Sequence, residues 1–152
     1  MAGGARTHTS VAELVDTNVL VYRVDPRFPA KQARAEGLLE QLVTTEECRI
    51  PHQALVEFYA VATRTLRDLG RPLLELNEAR EELEMLLLTC TVLYPVEGVL
   101  RLALHCRDAY RLNWFDAHLL AYAEHYGCSI LYSEDFQDGR YYGTVRAVNP
   151  FT

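Results

Sequence analysis

Residues 11–22 read VAELVDTNVLVY, and the order of the parts decides the architecture. Val11–Val15 is a short apolar stretch of the kind that forms a buried strand, and it halts on Asp16. Thr17 and Asn18 offer helix-capping side chains, and Val19–Tyr22 resumes as an apolar run. A strand that passes straight into a helix leaves its final acid at the carboxyl end of the strand.

Outward from this stretch the same alternation recurs. Pro26 and Pro29 punctuate, and Ala30–Val43 reads as a helix with Ala33, Leu38, Leu39 and Leu42 inward. Cys48–Pro51 is a second strand, followed by a helical pattern from His52 to Leu69 that Gly70 and Pro72 terminate. Asn77 is placed to cap a helix over Glu78–Thr89, with acids in its first turn, and Thr91–Tyr94 is a third strand stopped by Pro95. Glu97–Leu112 is helical again, with Val99, Leu100, Ala103, Leu104 and Cys106 as its apolar positions. Asn113 caps Trp114–Tyr126, and Gly127 ends it. Cys128–Tyr132 is a short apolar strand, Ser133–Gly143 a polar turn and Val145–Val148 a last strand. Strands joined through helices pair in parallel, because only a crossover of about a dozen residues returns the chain in the same direction. The expected fold is α/β, a sandwich whose mainly parallel sheet is covered by helices on both faces.

The bulk properties set limits. A chain of 152 residues fits one domain and can bury roughly 70% of its unfolded surface. Residues 1–10 read as a flexible arm and 11–152 as a single domain, with no repeat, low-complexity tract or linker. With 49% hydrophobic and 24% charged residues, neither a disulfide framework nor a structural metal is required. Cys48, Cys90, Cys106 and Cys128 are scattered without a C-x-x-C pair and read as reduced, small hydrophobes. Met1–Ser10 lacks the apolar run of a secretory leader, and stretches such as Met85–Leu88 are too short to span a bilayer, so a cytoplasmic protein with no membrane partner is expected. A net charge of −6 disfavours a broad basic face for nucleic acid. It leaves room for acids gathered around a bound cation, which reverses the local field. Every basic residue except Lys31 is arginine.

In open parallel sheets ligands collect outside the carboxyl ends of the strands, and Asp16 and Asp135 both follow a strand. Each acid also has a plain structural reading. Asp16 is suited to begin a turn, Asp116 to close a capping box with Asn113, and Asp135 to sit in a turn beside its competitors Glu134 and Asp138. Glu57 stands out because its helical neighbours Gln53, Ala54, Ala60 and Val61 are small and mostly apolar, and buried acids seldom lack a partner. Converging carboxylates repel unless protonated or neutralised, and hard cations such as Mg²⁺ or Mn²⁺ take oxygen donors of this kind. Asn18 and Ser133 are supporting hydrogen-bonding candidates. The chain has no phosphate-binding G-x-x-x-x-G-K-[ST] loop, no G-x-G-x-x-G turn and no G-x-S-x-G elbow. Its five histidines show no zinc spacing. Asn18 stands where an aspartyl-phosphate enzyme would usually carry a second acid.

Taken together, Leu14–Leu20, Glu57, Phe115-Asp116-Ala117 and Leu131–Asp135 resemble the ordered acidic segments of a PIN domain. The tail Ser133–Gly139, with Val148-Asn149-Pro150-Phe151, resembles VapC-type toxins of prokaryotic toxin–antitoxin pairs. The resemblance runs from about Val11 to Phe151 and leaves Met1–Ser10 outside. It implies a three-layer α/β/α, PIN-like sandwich and a Mg²⁺- or Mn²⁺-dependent endoribonuclease that cuts cellular RNA. It also implies a homodimer held in check by a cognate antitoxin protein. By the same resemblance Asp16, Glu57, Asp116 and Asp135 are the catalytic acids and Asp16, Asp116 and Asp135 the metal ligands, with Glu134 or Asp138 as substitutes at the last position. Two other functions fit such a sheet: a non-catalytic PIN-like module that binds RNA or protein, and a small-molecule phosphohydrolase. The apolar segments Phe58–Leu69 and Leu83–Leu88 are core or, alternatively, contact faces for a partner.

Overall fold

Strand alternation divides the core in two. In β1 (Glu13–Val15) Leu14 points to one side of the sheet and Val15 to the other. The computed structural model describes residues 11–152, so the expected N-terminal arm lies outside the described residues. After β1 come α1 (Thr17–Tyr22), α2 (Pro29–Thr44), β2 (Cys48–Pro51), α3 (His52–Thr63), α4 (Leu76–Thr89) and β3 (Thr91–Leu93). The second half runs α5 (Glu97–Tyr110), α6 (Trp114–His125), β4 (Ile130–Tyr132), β5 (Tyr141–Tyr142) and β6 (Val145–Val148).

The sheet order is β3-β2-β1-β4-β6-β5, parallel throughout except for β5, which pairs antiparallel with β6. On one face Leu14, Leu131, Val145 and Ala147 pack against Val99 and Ala103 of α5 and Leu120 of α6. On the other, Val15 and Ile50 meet Leu20 of α1, Leu42 of α2, Phe58 of α3 and Leu86 of α4. The result is the three-layer α/β/α sandwich with a mainly parallel sheet. The chain winds outward from β1 through β2 to β3, then returns across β1 to start β4. The carboxyl ends of β1 and β4 therefore border the point where the winding reverses, where such sheets form crevices.

Several boundaries differ from the sequence reading, each for a local reason. The first strand starts at Glu13 rather than Val11. The cap of α1 is Asp16 itself, whose Oδ1 accepts the Thr17 amide at 2.6 Å, so Thr17 and Asn18 lie inside the helix. On α2 the inward positions are Ala35, Leu39 and Leu42, whereas Ala33 is exposed and Leu38 only partly buried. Helix α3 stops at Thr63, six residues before Leu69. The returning chain supplies the reason: the Leu74 amide donates to the Ala62 carbonyl at 2.9 Å, and Leu66 and Arg71 pair around Gly70, whose φ is +65°. Glu75, not Asn77, caps α4, with Glu78 Oε1 accepting the Glu75 amide at 3.0 Å.

Helix α5 ends at Tyr110 on a left-handed Arg111, and its Leu100 and Leu104 are exposed. Strand β4 begins at Ile130 instead of Cys128, β3 ends at Leu93 and α6 at His125. The turn over Ser133–Gly143 contains β5, two tyrosines ahead of Gly143, whose positive φ reverses the chain into β6. Of the two apolar segments, Phe58, Leu83 and Leu86 belong to the core, while Leu87 and Leu88 are exposed.

Candidate active site

One cleft of about 580 Å³ lies at the carboxyl end of the central strands, and Asp16, Glu57, Asp116 and Asp135 all line it. Each arrives from a different segment. Asp16 ends β1, Glu57 faces inward from the middle of α3, Asp116 sits in the first turn of α6, and Asp135 follows β4.

Asp16 is the most constrained. Its Oδ1 accepts the Thr17 amide, and its Oδ2 accepts the Ser133 hydroxyl at 2.7 Å and the Asn18 amide group at 3.3 Å. Asn18 Nδ2 also donates to Asp135 Oδ2 at 3.2 Å, so one carboxamide spans two acids. Burial pushes the Asp16 carboxyl up to about 6, against the hydrogen bonds from Ser133 and Thr17, and the charges of Asp135 and Asp116 push it further up. Asp116 is raised first by burial and then by Asp135, while its bond from Asn113 opposes the rise. Asn113 holds this residue twice: its Oδ1 accepts the Asp116 amide at 2.9 Å, and its Nδ2 donates to Asp116 Oδ2 at 2.7 Å. Glu57 accepts the Thr17 hydroxyl at 2.9 Å and the Gln53 amide group at 2.7 Å.

The two substitute acids are engaged elsewhere. Glu134 accepts the Tyr22 hydroxyl at 2.8 Å and Lys31 Nζ at 2.9 Å, with Lys31 lying 4.5 Å from the centroid of the Tyr22 ring. Asp138 accepts the Asn149 amide at 2.8 Å and so holds the C-terminal turn. Neither lines the cleft, which leaves Asp135 as the acid this loop presents there.

The donor set suits a hard divalent cation. Its side chains offer oxygen only, its acids repel one another, and the buried Asn18 Oδ1 has no hydrogen-bond partner. Among the described residues no three acidic, histidine or cysteine side chains close tightly enough to grip an ion unaided. An ion held here would therefore draw on one or two of these carboxylates and complete its shell with water.

The sequence profile of the PIN domain matches residues 14–140. The chain belongs to the PIN-domain family. No curated protein matches its sequence. Among solved structures this PIN domain is similar to a toxin–antitoxin complex from Klebsiella pneumoniae, at 21% identity and a TM-score of 0.65, covering 91% of this chain and 98% of that one. It is similar to FitAcB from Neisseria gonorrhoeae at 19% identity and a TM-score of 0.64, over 91% and 97% of the two chains. The Mycobacterium tuberculosis protein VapC20, described as a sarcin-ricin loop cleaving toxin, matches at 15% identity and a TM-score of 0.52, over 79% and 87%. At these identities the shared feature is the fold.

Reading the sequence missed four participants in this PIN domain's cleft. Thr17 links the strand end to Glu57 across forty residues of chain, and Gln53 fixes the other Glu57 oxygen. Phe115, 68% exposed, lines the cleft beside Asp116, and so does the exposed Arg64. Thr17 and Gln53 carried local signals, a hydroxyl directly after the strand-terminal acid and an amide four residues before Glu57 on one helix. The places of Phe115 and Arg64 depend on which helix turns meet in space.

Proposed function

We propose that this PIN domain is a metal-dependent endoribonuclease, the toxin of a toxin–antitoxin pair, which hydrolyses phosphodiester bonds of cellular RNA in the cytoplasm. The observation that carries the reading is the gathering of four carboxylates from four separate segments in one cleft, with Asp16 pushed up by burial and by its neighbours. A module that only binds a polyanion gains nothing from such a cluster, because bare carboxylates repel phosphate.

In this reading Asp16, Asp116 and Asp135 would hold Mg²⁺ or Mn²⁺ together with bridging water, since they do not close on an ion unaided, and Asn18 and Ser133 fix the direction of the Asp16 carboxylate. A bound divalent cation supplies positive charge at the scissile phosphate and Lewis acidity toward water. Glu57, anchored by Thr17 and Gln53, accepts a proton from the attacking water, a role that requires a carboxylate already aimed into the cleft. Phe115 offers an exposed ring on which an unpaired base can stack, and Arg64 a guanidinium for phosphate. A toxin–antitoxin complex and a sarcin-ricin loop cleaving toxin among the similar structures support an RNA substrate and a cognate antitoxin partner. A homodimer belongs to the same proposal, and Leu87, Leu88, Leu100 and Leu104 are exposed apolar side chains that an interface would have to cover to favour it.

Purified wild type and Asp116→Asn are incubated with total cellular RNA, with Mg²⁺ or Mn²⁺ and with chelator. Discrete fragments that require both metal and Asp116 are expected. Cleavage of a generic phosphomonoester instead would transfer the assignment to a small-molecule phosphohydrolase, and tight RNA retention without any cleavage would make the protein a binding module.

A further inference from the structure

The edge of the sheet opposite the cleft carries a second arrangement of reactive groups. Arg49 of β2 lies opposite Thr91 of β3 in the parallel ladder, so the preceding residues, Cys48 and Cys90, stand side by side where the two strands begin. Cys90 has extended backbone (φ −119°, ψ 156°), which continues the alternation of β3, and both cysteines face the α1–α4 layer. Neighbouring strands lie about 4.8 Å apart, inside the span of about 4.4–6.8 Å between Cα atoms that a disulfide bridges.

The two thiols are unlike. Cys48 is buried; Cys90 is half-buried, and the Thr89 hydroxyl lies 3.7 Å from its sulfur. The neighbouring Cys48 thiol pulls the Cys90 thiol down, helped by the Thr89 hydroxyl and the charges of Arg23 and Arg49 against the effect of burial. The same proximity, together with burial, pushes Cys48 up, so it keeps its proton. Both line a surface hollow of about 390 Å³ bordered by Glu46, Arg49, Leu88 and Thr89. Cys106 and Cys128 are buried, and burial pushes each of them up to about 11.

We propose that Cys90 and Cys48 are a hydroperoxide-oxidisable dithiol, with Cys90 as the reacting sulfur and Cys48 as the resolving one. The Cys90 thiolate attacks the terminal oxygen of a hydroperoxide; the S–O bond forms, the O–O bond breaks, and the departing hydroxide or alkoxide takes a proton from water. The Cys48 thiol then attacks the sulfenic sulfur. The S–S bond forms, the S–O bond breaks, and the hydroxyl leaves as water with the Cys48 proton. Two thiols are oxidised, one hydroperoxide is reduced, and an external dithiol reverses the change. The bridge ties β2 to β3 away from the cleft, so this chemistry is independent of the nuclease reading.

The test treats the full chain with stoichiometric hydrogen peroxide, alkylates the remaining thiols and maps peptides without reduction. A Cys48–Cys90 linked peptide is expected, with Cys106 and Cys128 still alkylatable only after unfolding. Dimedone should trap a sulfenic acid at Cys90 in Cys48→Ala and capture little in wild type. In untreated wild type at neutral pH, iodoacetamide should modify Cys90 at least ~10-fold faster than Cys106 or Cys128, a readout that needs no variant to fold. Equal alkylation rates, or oxidation that yields only links between chains, would overturn the proposal.

Discussion

Asn18 sits where two like charges would otherwise face each other, and its single carboxamide donates to both Asp16 and Asp135. Asp16 remains strained toward its neutral form even so, and that has a measurable sign. Its carboxyl ionises near 3.8 in an ordinary setting and at about 6 in the fold. Between those values the folded chain holds more protons than the unfolded one, so the stability of metal-free protein falls as pH rises through this window and is level above it. Asp16→Asn removes the slope and leaves the metal-free protein on the order of 2 kcal/mol more stable at neutral pH. Urea titrations in chelator across the window check this; an unchanged slope in the variant would assign the pH dependence elsewhere. The gain in stability should come with loss of RNA cleavage, as expected where a site is held under repulsion for the sake of its chemistry.

Helix α6 shows how an element aims a side chain. Asn113 is at once its N-cap and the clamp on the Asp116 carboxylate. Asn113→Ala should cost about 1 kcal/mol of stability through the lost cap. Asn113→Asp keeps a capping oxygen but sets a second negative charge against Asp116. It should therefore fold nearly as well as wild type while cutting RNA more slowly than Asn113→Ala. Denaturation midpoints and single-turnover rates on one RNA separate the two effects, and parallel losses in both variants would reduce Asn113 to a purely structural role. This helix was legible in the sequence because all its signals are local: a capping Asn, an apolar run and a closing Gly127. The end of α3 was not, because the helical pattern continues to Leu69 while a distant amide, Leu74, claims the Ala62 carbonyl. The order of the acids along the chain was likewise readable from their places after strands and in helix turns. The pairing of Asn113 with Asp116 followed from their three-residue spacing, whereas the convergence of Thr17 and Gln53 on Glu57 depends on side-chain directions that spacing does not fix.

Across the molecule the formal net charge is −6, and the cleft sets Asp16, Asp25, Glu57, Asp116 and Asp135 against only Arg27 and Arg64. Binding of a cation there should appear as global stabilisation. Mn²⁺ at roughly 100 times its dissociation constant is worth about 2.7 kcal/mol, or about 5–10 °C in Tm for a chain of this size. Asp16→Asn combined with Asp135→Asn should abolish that shift in a thermal melt, and an equal shift in the double variant would place the ion outside the cleft. The two rims of the sheet have a different consequence. Strand β3 offers three residues before Pro95, and β5 only two between glycine turns. A neighbouring chain seeking to add a strand finds almost no unpaired backbone at either rim, so stacking of sheets edge to edge is disfavoured. Assembly of this protein is thereby left to helix side chains, and concentrated solutions should resist growth into fibrils.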